Sequence, residues 1–269
     1  MLVNGVNLNV KVVGSGPPVV ALHGFAGNSS TWKELVQEAR KKYTVITIDL
    51  LGHGDSDSPS DPERYRVENA VNDIAVTLDK LGFSRACWLG YSMGGRIALV
   101  AAALMPDVCC SLVLEGASPG LISPSARARR QRNDEGLAKL ILKEGIEAFT
   151  DRWEQQSLFR SQKSLPHTTQ ERIRNQRLTS SPIGLANTLR AAGPGVQLPV
   201  QDLLPALKMP VLCIAGEYDH KFTAIARKMC SKLRYGRLAI IRGAGHATHL
   251  EKPGAFNRVV LKFIDSSLE

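Results

Sequence analysis

Short apolar runs recur along the chain and alternate with segments in which apolar residues follow a helical period. The runs cover residues 18–24, 43–50, 86–92, 110–117, 210–217 and 237–244. Runs of this length with no polar face are typical of strands that are buried on both sides. Residues 67–81 and 93–105 have helical periodicity and lie between such runs. The alternation predicts an α/β protein with a mostly parallel central sheet flanked by helices.

Two parts of the chain depart from this alternation. Residues 1–16 alternate apolar and polar side chains, which predicts an opening β-hairpin rather than a secretory signal. Residues 118–196 contain charged, helix-prone sequence and no strand pattern. We interpret this segment as a helical cap inserted into a single domain that spans residues 1–269.

The chain carries a formal net charge of +9 at pH 7, and much of the excess lies in the predicted cap. Residues 121–190 contain 13 Lys or Arg residues and 7 Asp or Glu residues. A positive patch confined to one insertion favours a small anionic substrate at least as well as a polynucleotide. Because no nucleic-acid-binding motif is present, we expect a small-molecule partner and no nucleic acid.

Composition also bears on the location of the protein and on its cofactors. No apolar stretch reaches the roughly 18 residues needed to cross a bilayer, which predicts no membrane insertion. The five cysteines are odd in number, and Cys87 and Cys213 lie inside apolar runs. This usage indicates reduced core thiols in a cytoplasmic protein. We expect neither a metal ion nor an organic cofactor.

The strongest local motif is GYSMG at residues 90–94, where an apolar run stops and a helical segment starts. Small residues two positions before and after a serine permit the sharp turn of a nucleophile elbow, which exposes the serine hydroxyl. The motif therefore predicts that Ser92 acts as a nucleophile or base. The alternative is an ordinary tight turn with a capping serine.

A serine hydroxyl becomes reactive when a neighbouring imidazole takes its proton. In parallel-sheet enzymes with this elbow, the chain order is serine, acid and then histidine. His246 follows the last apolar run, in GAGH at residues 243–246, and is the preferred partner of Ser92. His249 is its rival.

The acid that orients the imidazole should follow a strand between the elbow and the histidine. Asp219 lies directly beyond the apolar run at residues 210–217 and is the preferred acid. Glu217 is adjacent, and spacing alone does not exclude it. Asp49 also ends an apolar run, but it precedes Ser92 and so does not fit the expected chain order.

An oxyanion hole needs two backbone N–H donors, one after the serine and one in the loop after an earlier strand. Met93 and Phe25 occupy these two places, the latter within HGFAG at residues 23–27. Their side chains need not be polar, because the backbone donates. We predict that these two amides stabilise negative charge on a substrate oxygen.

Several motifs together resemble the α/β-hydrolase family over nearly the whole chain: HGFAGNSSTW, DLLGHGDS, GYSMGG, GEYDHKF and GAGHATHLEKP. Within it, the sequence is most similar to the MenH family of 2-succinyl-6-hydroxy-2,4-cyclohexadiene-1-carboxylate synthases, on GYSMGGR, LEGASPGL, RARRQRND, WEQQSLF and DHKF. The resemblance implies the α/β-hydrolase fold. It also implies a lyase of menaquinone biosynthesis that abstracts a proton from its substrate and expels the enolpyruvyl group as pyruvate.

The resemblance further implies a set of substrate-binding residues. Those that match the arginine, lysine and aromatic positions of the family are Tyr91, Arg96, Arg132, Trp153, Phe159, Arg177 and Lys221. Guanidinium groups bind carboxylates bidentately, which suits a substrate with several carboxylates. One departure is Glu154, where some relatives have a tyrosine. Near an anionic substrate, we expect Glu154 to point away or to pair with an arginine.

Two other functions could use the same residues. A serine hydrolase that cleaves an ester or a carbon–carbon bond would need the same Ser92, Asp219 and His246. A ligand-binding receptor built on a hydrolase fold is a second alternative, although a complete catalytic set argues against binding alone. Turnover of a candidate ligand distinguishes the receptor from either enzyme.

Overall fold

A seven-stranded sheet forms the centre of the computed structural model, which describes residues 1–268. The strands within these residues are β1 (Leu2–Val3), β2 (Val6–Asn7), β3 (Val10–Val13), β4 (Pro18–Leu22), β5 (Thr44–Ile48), β6 (Ala86–Tyr91), β7 (Cys109–Glu115), β8 (Val211–Gly216) and β9 (Gly236–Ile241). The sheet order is β3-β5-β4-β6-β7-β8-β9. β3 runs antiparallel to β5, and the other neighbouring pairs are parallel. The predicted α/β class with a mostly parallel sheet is confirmed, and each predicted run overlaps one strand.

Helices cover both faces of this sheet. The α-helices within the described residues are α1 (Lys33–Ala39), α2 (Val67–Lys80), α3 (Met93–Leu104), α4 (Pro124–Glu154), α5 (His167–Leu178), α6 (Pro182–Ala192), α7 (His220–Cys230), α8 (Thr248–Glu251) and α9 (Pro253–Leu268). Side chains of α2, α3 and α7 pack on one face, and those of α1 and α9 pack on the other. The predicted helices at residues 67–81 and 93–105 agree with α2 and α3 to within one residue.

Alternate residues of the central strands pack into different cores. In β4, Val19 and Ala21 pack with α1 and α9, whereas Val20 and Leu22 pack with α2 and α3. All four side chains are at most 1% exposed. Burial on both faces explains why these strands appear in the sequence as uninterrupted apolar runs. Each fully buried Val or Leu contributes about 1.5–3 kcal/mol to folding.

The N-terminal hairpin is shorter than predicted. β1 and β2 are joined through Asn4 and Gly5, whose φ angles of 47° and 82° suit a two-residue type I′ turn. β3 leaves this hairpin and pairs with β5 in the main sheet. The hairpin predicted over residues 1–16 is therefore correct for the segment up to β2, and the remainder joins the seven-stranded sheet.

Residues 118–196, which we call the cap, contain α4, α5, α6 and a 3-10 helix (Ser157–Ser164), and no strand is found within this described segment. α4 is broken at Gly145, whose φ of 85° and ψ of 179° are not helical. Ile141 of α4 and Leu189 of α6 form a small apolar core that includes Ala26, in the loop after β4. The cap therefore lies against a loop at the carboxyl end of the sheet.

The cysteines are all unpaired thiols. Burial raises the pKa of Cys87 to about 12, so this thiol stays protonated at neutral pH. Within residues 1–268, no helix has both the length and the apolar character required to span a bilayer. The same described residues contain no group of three or more His, Cys, Asp or Glu side chains placed to hold a metal ion.

Two helical glycines should respond oppositely to alanine. A Cβ atom at Gly94 in α3 would overlap the carbonyl oxygen of Leu22, whereas a Cβ atom at Gly136 in α4 meets no atom within 4 Å. We expect Gly94→Ala to lower the melting temperature by about 5 °C or more, because the backbone of β4 must shift. Gly136→Ala should stabilise the fold by about 0.5–1 kcal/mol, because alanine has the higher helix propensity. Thermal denaturation measures both, and shifts of the same sign would contradict the packing described.

Candidate active site

Ser92 lies in a strained turn between β6 and α3. Its φ of 50° and ψ of −101° are outside the regions that serine ordinarily adopts. A Cβ atom at Gly90 would overlap the backbone of Gly94, and a Cβ atom at Gly94 would overlap the end of β4. Glycine is therefore required on both sides of the serine, as a nucleophile elbow demands. The turn leaves Ser92 partly exposed on the floor of a cavity.

Ser92, His246 and Asp219 form a continuous chain of hydrogen bonds. Ser92 Oγ lies 3.2 Å from His246 Nε2, although 154 positions separate the two residues. His246 Nδ1 lies 2.6 Å from Asp219 Oδ2. The histidine is 2% exposed and the aspartate 8%. A carboxylate at Nδ1 fixes the tautomer whose Nε2 accepts the serine proton.

β8 and α7 position the acid. Asp219 follows β8 and caps the N-terminus of α7, where its Oδ1 accepts the amide N–H of Phe222 at 3.2 Å. Glu217, the alternative acid, is exposed and accepts the amide N–H of Gly243 at 2.8 Å. Asp49 is held by the amides of other loops. Of the three candidates, the structure brings Asp219 to the imidazole.

His249, the rival base, is buried behind the site. Its Nδ1 lies 2.8 Å from Glu115 Oε2, and its Nε2 lies 2.8 Å from Thr31 Oγ1. Its ring packs against that of Tyr91, with centroids 4.8 Å apart. Because both ring nitrogens of His249 already have hydrogen-bond partners, neither is available to Ser92.

Phe25 and Met93 both line the cavity beside the serine. Within residues 1–268, neither of their backbone amides donates a hydrogen bond to another protein atom. The next amide along, that of Gly94, donates to the carbonyl oxygen of His23 at 3.1 Å. Met93 begins α3, and the first N–H groups of a helix are unpaired and lie at its positive end. Both predicted donors are therefore available to a bound oxygen atom.

A cavity of about 920 Å³ lies between this floor and the cap. Each substrate-binding residue implied by the resemblance lines it: Tyr91, Arg96, Arg132, Trp153, Phe159, Arg177 and Lys221. A volume of this size accommodates a small metabolite. The fold therefore brings all seven residues to the same space as Ser92.

Aromatic side chains form one wall of the cavity. The ring centroids of Phe25 and Trp153 are 5.2 Å apart, and those of Trp153 and Phe159 are 5.8 Å apart. On the floor, the Tyr91 ring lies 5.3 Å from the imidazole of His246. Burial holds the pKa of the Tyr91 hydroxyl well above its ordinary value, so the group stays neutral. This wall offers an apolar surface against which a substrate ring can pack.

Cationic side chains supply the polar part of the lining. Arg96 is 8% exposed and donates to the carbonyl oxygen of Ala192 and to the side chain of Gln197. Burial lowers the pKa of Arg96 to about 10, which still leaves it charged at neutral pH. Arg132 and Lys221 are exposed, and neither forms an ion pair within residues 1–268. Their charges are therefore available to an anionic ligand.

Arg177 is the one cap arginine of the predicted set that is paired with a carboxylate in the described chain. Its Nη1 lies 2.8 Å from Glu154 Oε1, and its guanidinium lies 5.2 Å from the centre of the Phe159 ring. Burial lowers the pKa of Arg177, and Glu154 opposes that effect. Glu154 also binds Arg174 at 2.9 Å. Of the two arrangements expected for Glu154, the structure has the pairing with arginine.

Three further residues contact the site although no role was predicted for them, and each lies within one of the motifs named above. The centroid of the Phe222 ring lies 4.5 Å from that of His246. Phe222 lies in the first turn of α7, directly after the predicted acid Asp219, and this position could have identified it as a residue of the site. Arg130 lines the cavity and binds a carboxylate four residues later, a spacing typical of one helix face. Glu251 accepts backbone amides next to His246, and no sequence signal indicates such a contact.

Known proteins share this architecture. Residues 17–253 match the alpha/beta hydrolase fold family. A Bacillus subtilis (strain 168) protein, named provisionally as a 2-succinyl-6-hydroxy-2,4-cyclohexadiene-1-carboxylate synthase, is 39% identical over 92% of this chain and 90% of its own length. An Escherichia coli O1:K1 protein named as the same synthase is 34% identical over 88% of this chain and 89% of its own length.

A solved structure extends the comparison to three dimensions. The structure of MenH from S. aureus has a TM-score of 0.93 and 34% identity, and it covers 97% of this chain and 99% of its own. The similarity therefore includes the cap as well as the sheet and the elbow. The chain belongs to the alpha/beta hydrolase fold family and, within it, to the MenH group of 2-succinyl-6-hydroxy-2,4-cyclohexadiene-1-carboxylate synthases.

Proposed function

We propose that the protein is a carbon–oxygen lyase of menaquinone or phylloquinone biosynthesis. It converts 2-succinyl-5-enolpyruvyl-6-hydroxy-3-cyclohexene-1-carboxylate into 2-succinyl-6-hydroxy-2,4-cyclohexadiene-1-carboxylate and pyruvate. The observation that carries this proposal is the Ser92–His246–Asp219 chain, which faces a cavity lined by arginines. The synthase names of the relatives support the same reaction. The elimination is redox-neutral, so the proposal includes no cofactor.

Ser92 is the proposed base. Its hydroxyl proton passes to His246 Nε2, 3.2 Å away, as Ser92 Oγ removes the proton at carbon 2 of the substrate, next to the succinyl carbonyl. Asp219 stabilises the imidazolium that forms and holds the imidazole ring in the orientation in which Nε2 faces Ser92 Oγ. No bond forms between Ser92 and the substrate, which separates this mechanism from that of a serine hydrolase.

The electron pair released from the carbon–hydrogen bond drives the elimination. It first delocalises onto the succinyl oxygen as an enolate and then forms the double bond between carbons 2 and 3. The ring double bond moves from carbons 3 and 4 to carbons 4 and 5, and the bond from carbon 5 to oxygen breaks. Pyruvate leaves as its enolate, which takes up a proton. Atoms and charge balance without a co-reactant.

The amides of Phe25 and Met93 are the proposed oxyanion hole. They lie in the cavity beside Ser92 and have no protein acceptor within the described residues. Donors that are already oriented and partly shielded from water stabilise an enolate oxygen more than water would, because they need no reorganisation during the reaction. Removing one such donor in other enzymes costs about 2.7–4 kcal/mol of transition-state stabilisation.

The cavity charges are suited to a polycarboxylate. Arg96 is a buried guanidinium group whose pKa is lowered by burial and which forms no ion pair within residues 1–268, so a substrate carboxylate relieves an unfavourable desolvation. Arg177 lines the same cavity, and its charge is shared between Glu154 and the proposed substrate. Arg132 and Lys221 offer further cationic groups in the same cavity. Tyr91, Trp153 and Phe159 provide the apolar surface for the ring of the substrate: these three lie on the floor and in the aromatic wall. We therefore propose a small anionic polycarboxylate as the partner.

Unpaired thiols accord with a reducing compartment, and on that ground we propose that the enzyme acts in the cytoplasm.

The direct test of function is a coupled assay of pyruvate release from the enolpyruvyl substrate. It is run beside a panel of activated esters, because Ser92, His246 and Asp219 could also support acyl transfer. Pyruvate release without an acyl-enzyme burst supports the lyase. A burst with esters and no pyruvate would show a serine hydrolase instead.

Replacing the proposed base should abolish turnover but not folding. In the Ser92→Ala variant, we expect kcat to fall by about three orders of magnitude or more, because no other group lies at the position of Ser92 Oγ. The melting temperature should not fall, since alanine removes a single hydroxyl from a strained turn. Pyruvate release and thermal denaturation are the measurements. A variant with near-normal turnover would refute the assignment of Ser92.

An exposed cap arginine should act on substrate capture. Arg132 lines the cavity, whereas Arg129 lies on the same helix, is exposed and does not line the cavity. A charged hydrogen bond contributes about 1.5–3 kcal/mol, so Arg132→Ala should lower kcat/KM about 10- to 100-fold. Arg129→Ala is the matched control and should change kcat/KM less than about twofold. Equal effects of the two changes would indicate a general effect of charge rather than a binding contact.

The Glu154–Arg177 ion pair should matter more for stability than a neighbouring surface pair. The side chain of Arg177 is 9% exposed, so Glu154→Ala leaves a buried charge unpaired. Because Glu154 itself is 30% exposed, we expect a loss of about 1–3 kcal/mol, below the range for fully buried pairs. The control is Asp151→Ala, which removes an exposed partner of Arg174 and should cost less than about 1 kcal/mol. Urea unfolding of both variants tests the difference, and equal losses would contradict it.

A further inference from the structure

The loop that carries His246 is held by a carboxylate that the mechanism above does not use. Glu251 reaches back from α8 to the residues on either side of the histidine. Its Oε2 accepts the amide N–H of Gly245 at 2.6 Å, and its Oε1 accepts the amide N–H of Ala247 at 3.2 Å. One side chain thus binds the amide N–H groups of the two residues that flank His246.

This contact is made in a tightly packed place. Glu251 is 9% exposed, and no Lys or Arg forms an ion pair with it among residues 1–268. A side chain at Gly245 would overlap Ser161 of the cap, so the backbone of the loop cannot move outward without displacing the cap. A buried carboxylate that relies on backbone amides is costly unless both oxygens are satisfied. Both are satisfied here, by the amides that flank His246.

A second carboxylate anchors the far end of the same loop. Glu115 Oε1 accepts the Thr248 hydroxyl at 2.7 Å and the His249 amide at 3.0 Å. Its Oε2 lies 2.8 Å from His249 Nδ1. These contacts do not involve Glu251, so the loop keeps its attachment to the sheet when Glu251 is changed. What depends on Glu251 is the placement of the residues just around His246.

We propose that Glu251 is a positioning residue, which holds the imidazole of His246 within hydrogen-bonding reach of Ser92. The proposal rests on the proposed function, in which Nε2 of His246 takes the serine proton across 3.2 Å. An error of about 1 Å in such a contact can lower a rate about 100-fold. Because Glu251 acts through His246 and does not line the cavity, it should affect kcat rather than substrate binding.

The test uses a near-isosteric change. Glu251→Gln replaces one carboxylate oxygen by an NH₂ group, which cannot accept a hydrogen bond from a backbone amide. We expect kcat for pyruvate release to fall about 10-fold or more, with KM changed less than about twofold. The matched control is Glu217→Gln, because Glu217 also accepts a backbone amide near this loop, from Gly243 at 2.8 Å, but is exposed. The control should keep kcat within about twofold of wild type.

A spectroscopic measurement keeps this proposal separate from the lyase assignment. The proton between His246 Nδ1 and Asp219 should give a downfield ¹H NMR resonance in the intact protein, assigned by its loss in Asp219→Asn. In Glu251→Gln it should shift and exchange faster with water. If the wild-type protein releases no pyruvate, the lyase assignment fails, and the resonance still tests Glu251. An unchanged resonance together with an unchanged kcat in Glu251→Gln would overturn the proposal.

A second variant covers the case in which Glu251→Gln does not fold. Glu251→Asp keeps the charge but is one methylene shorter, so its carboxylate cannot reach both amides from α8. We expect the same loss of kcat and the same disturbance of the His246 resonance. Normal values of both in Glu251→Asp would show that charge alone suffices, and the positioning role would be wrong.

Discussion

The site depends on one residue, Glu115, which forms hydrogen bonds both to Ser92 and to the loop that carries His246. The carbonyl oxygen of Glu115, at the end of β7, accepts the amide N–H of Ser92 at 2.7 Å. The carboxylate of the same residue holds Thr248 and His249, just beyond His246. Glu115 is fully buried, so these bonds are shielded from competition with water. The loop that carries His246 is therefore attached to the strands that carry Ser92, because β6 and β7 are paired side by side.

Positive and negative charges are segregated around the histidine. Behind it, Asp219, Glu115 and Glu251 bind imidazole, hydroxyl and amide donors rather than arginines. In front of it, the cavity is lined by cationic side chains of the cap and of α3. Because the rear carboxylates are satisfied by neutral donors or by histidine, they do not draw the arginines away from the cavity. The side chains that line the cavity therefore include more cationic groups than carboxylates, although carboxylates lie close to His246.

Most of the sheet could be predicted from the sequence because its strands are covered on both faces. Val19 to Leu22 show this: no position faces water, so no polar residue interrupts the run. The edge strand β3 behaves differently, since it is short and partly exposed, and its pairing with β5 depends on contacts distant in the sequence. The prediction of a hairpin over residues 1–16 was therefore wrong beyond β2.

For the site, too, features that depend on neighbouring residues could be predicted from the sequence, and features that depend on distant residues could not. The elbow motif is local, because a Cβ atom at Gly90 would overlap the backbone of Gly94, on the other side of Ser92. The choice between Asp219 and Glu217 is not, since both follow β8, and the turn into α7 decides which carboxylate faces the imidazole. The role of Glu251 is still less visible in the sequence, because its partners are backbone amides, which every residue has. The chemistry of a side chain can be inferred from the residue type, whereas its contacts with backbone groups can be identified only once the fold is known.

In the proposed function, the chemical outcome depends on the cap more than on the three residues below it. A serine activated by histidine can attack a carbonyl or remove a proton, and the same two amides would stabilise either a tetrahedral oxyanion or an enolate. What selects between them is the atom presented to Ser92 Oγ. The cationic groups of Arg132 and Arg177 and the ring of Trp153 lie on the cap side of the cavity, where we propose that they orient an incoming polycarboxylate. In the proposed reaction, a substrate held by its carboxylates at that side presents its ring carbons, rather than a carboxyl carbon, to the serine.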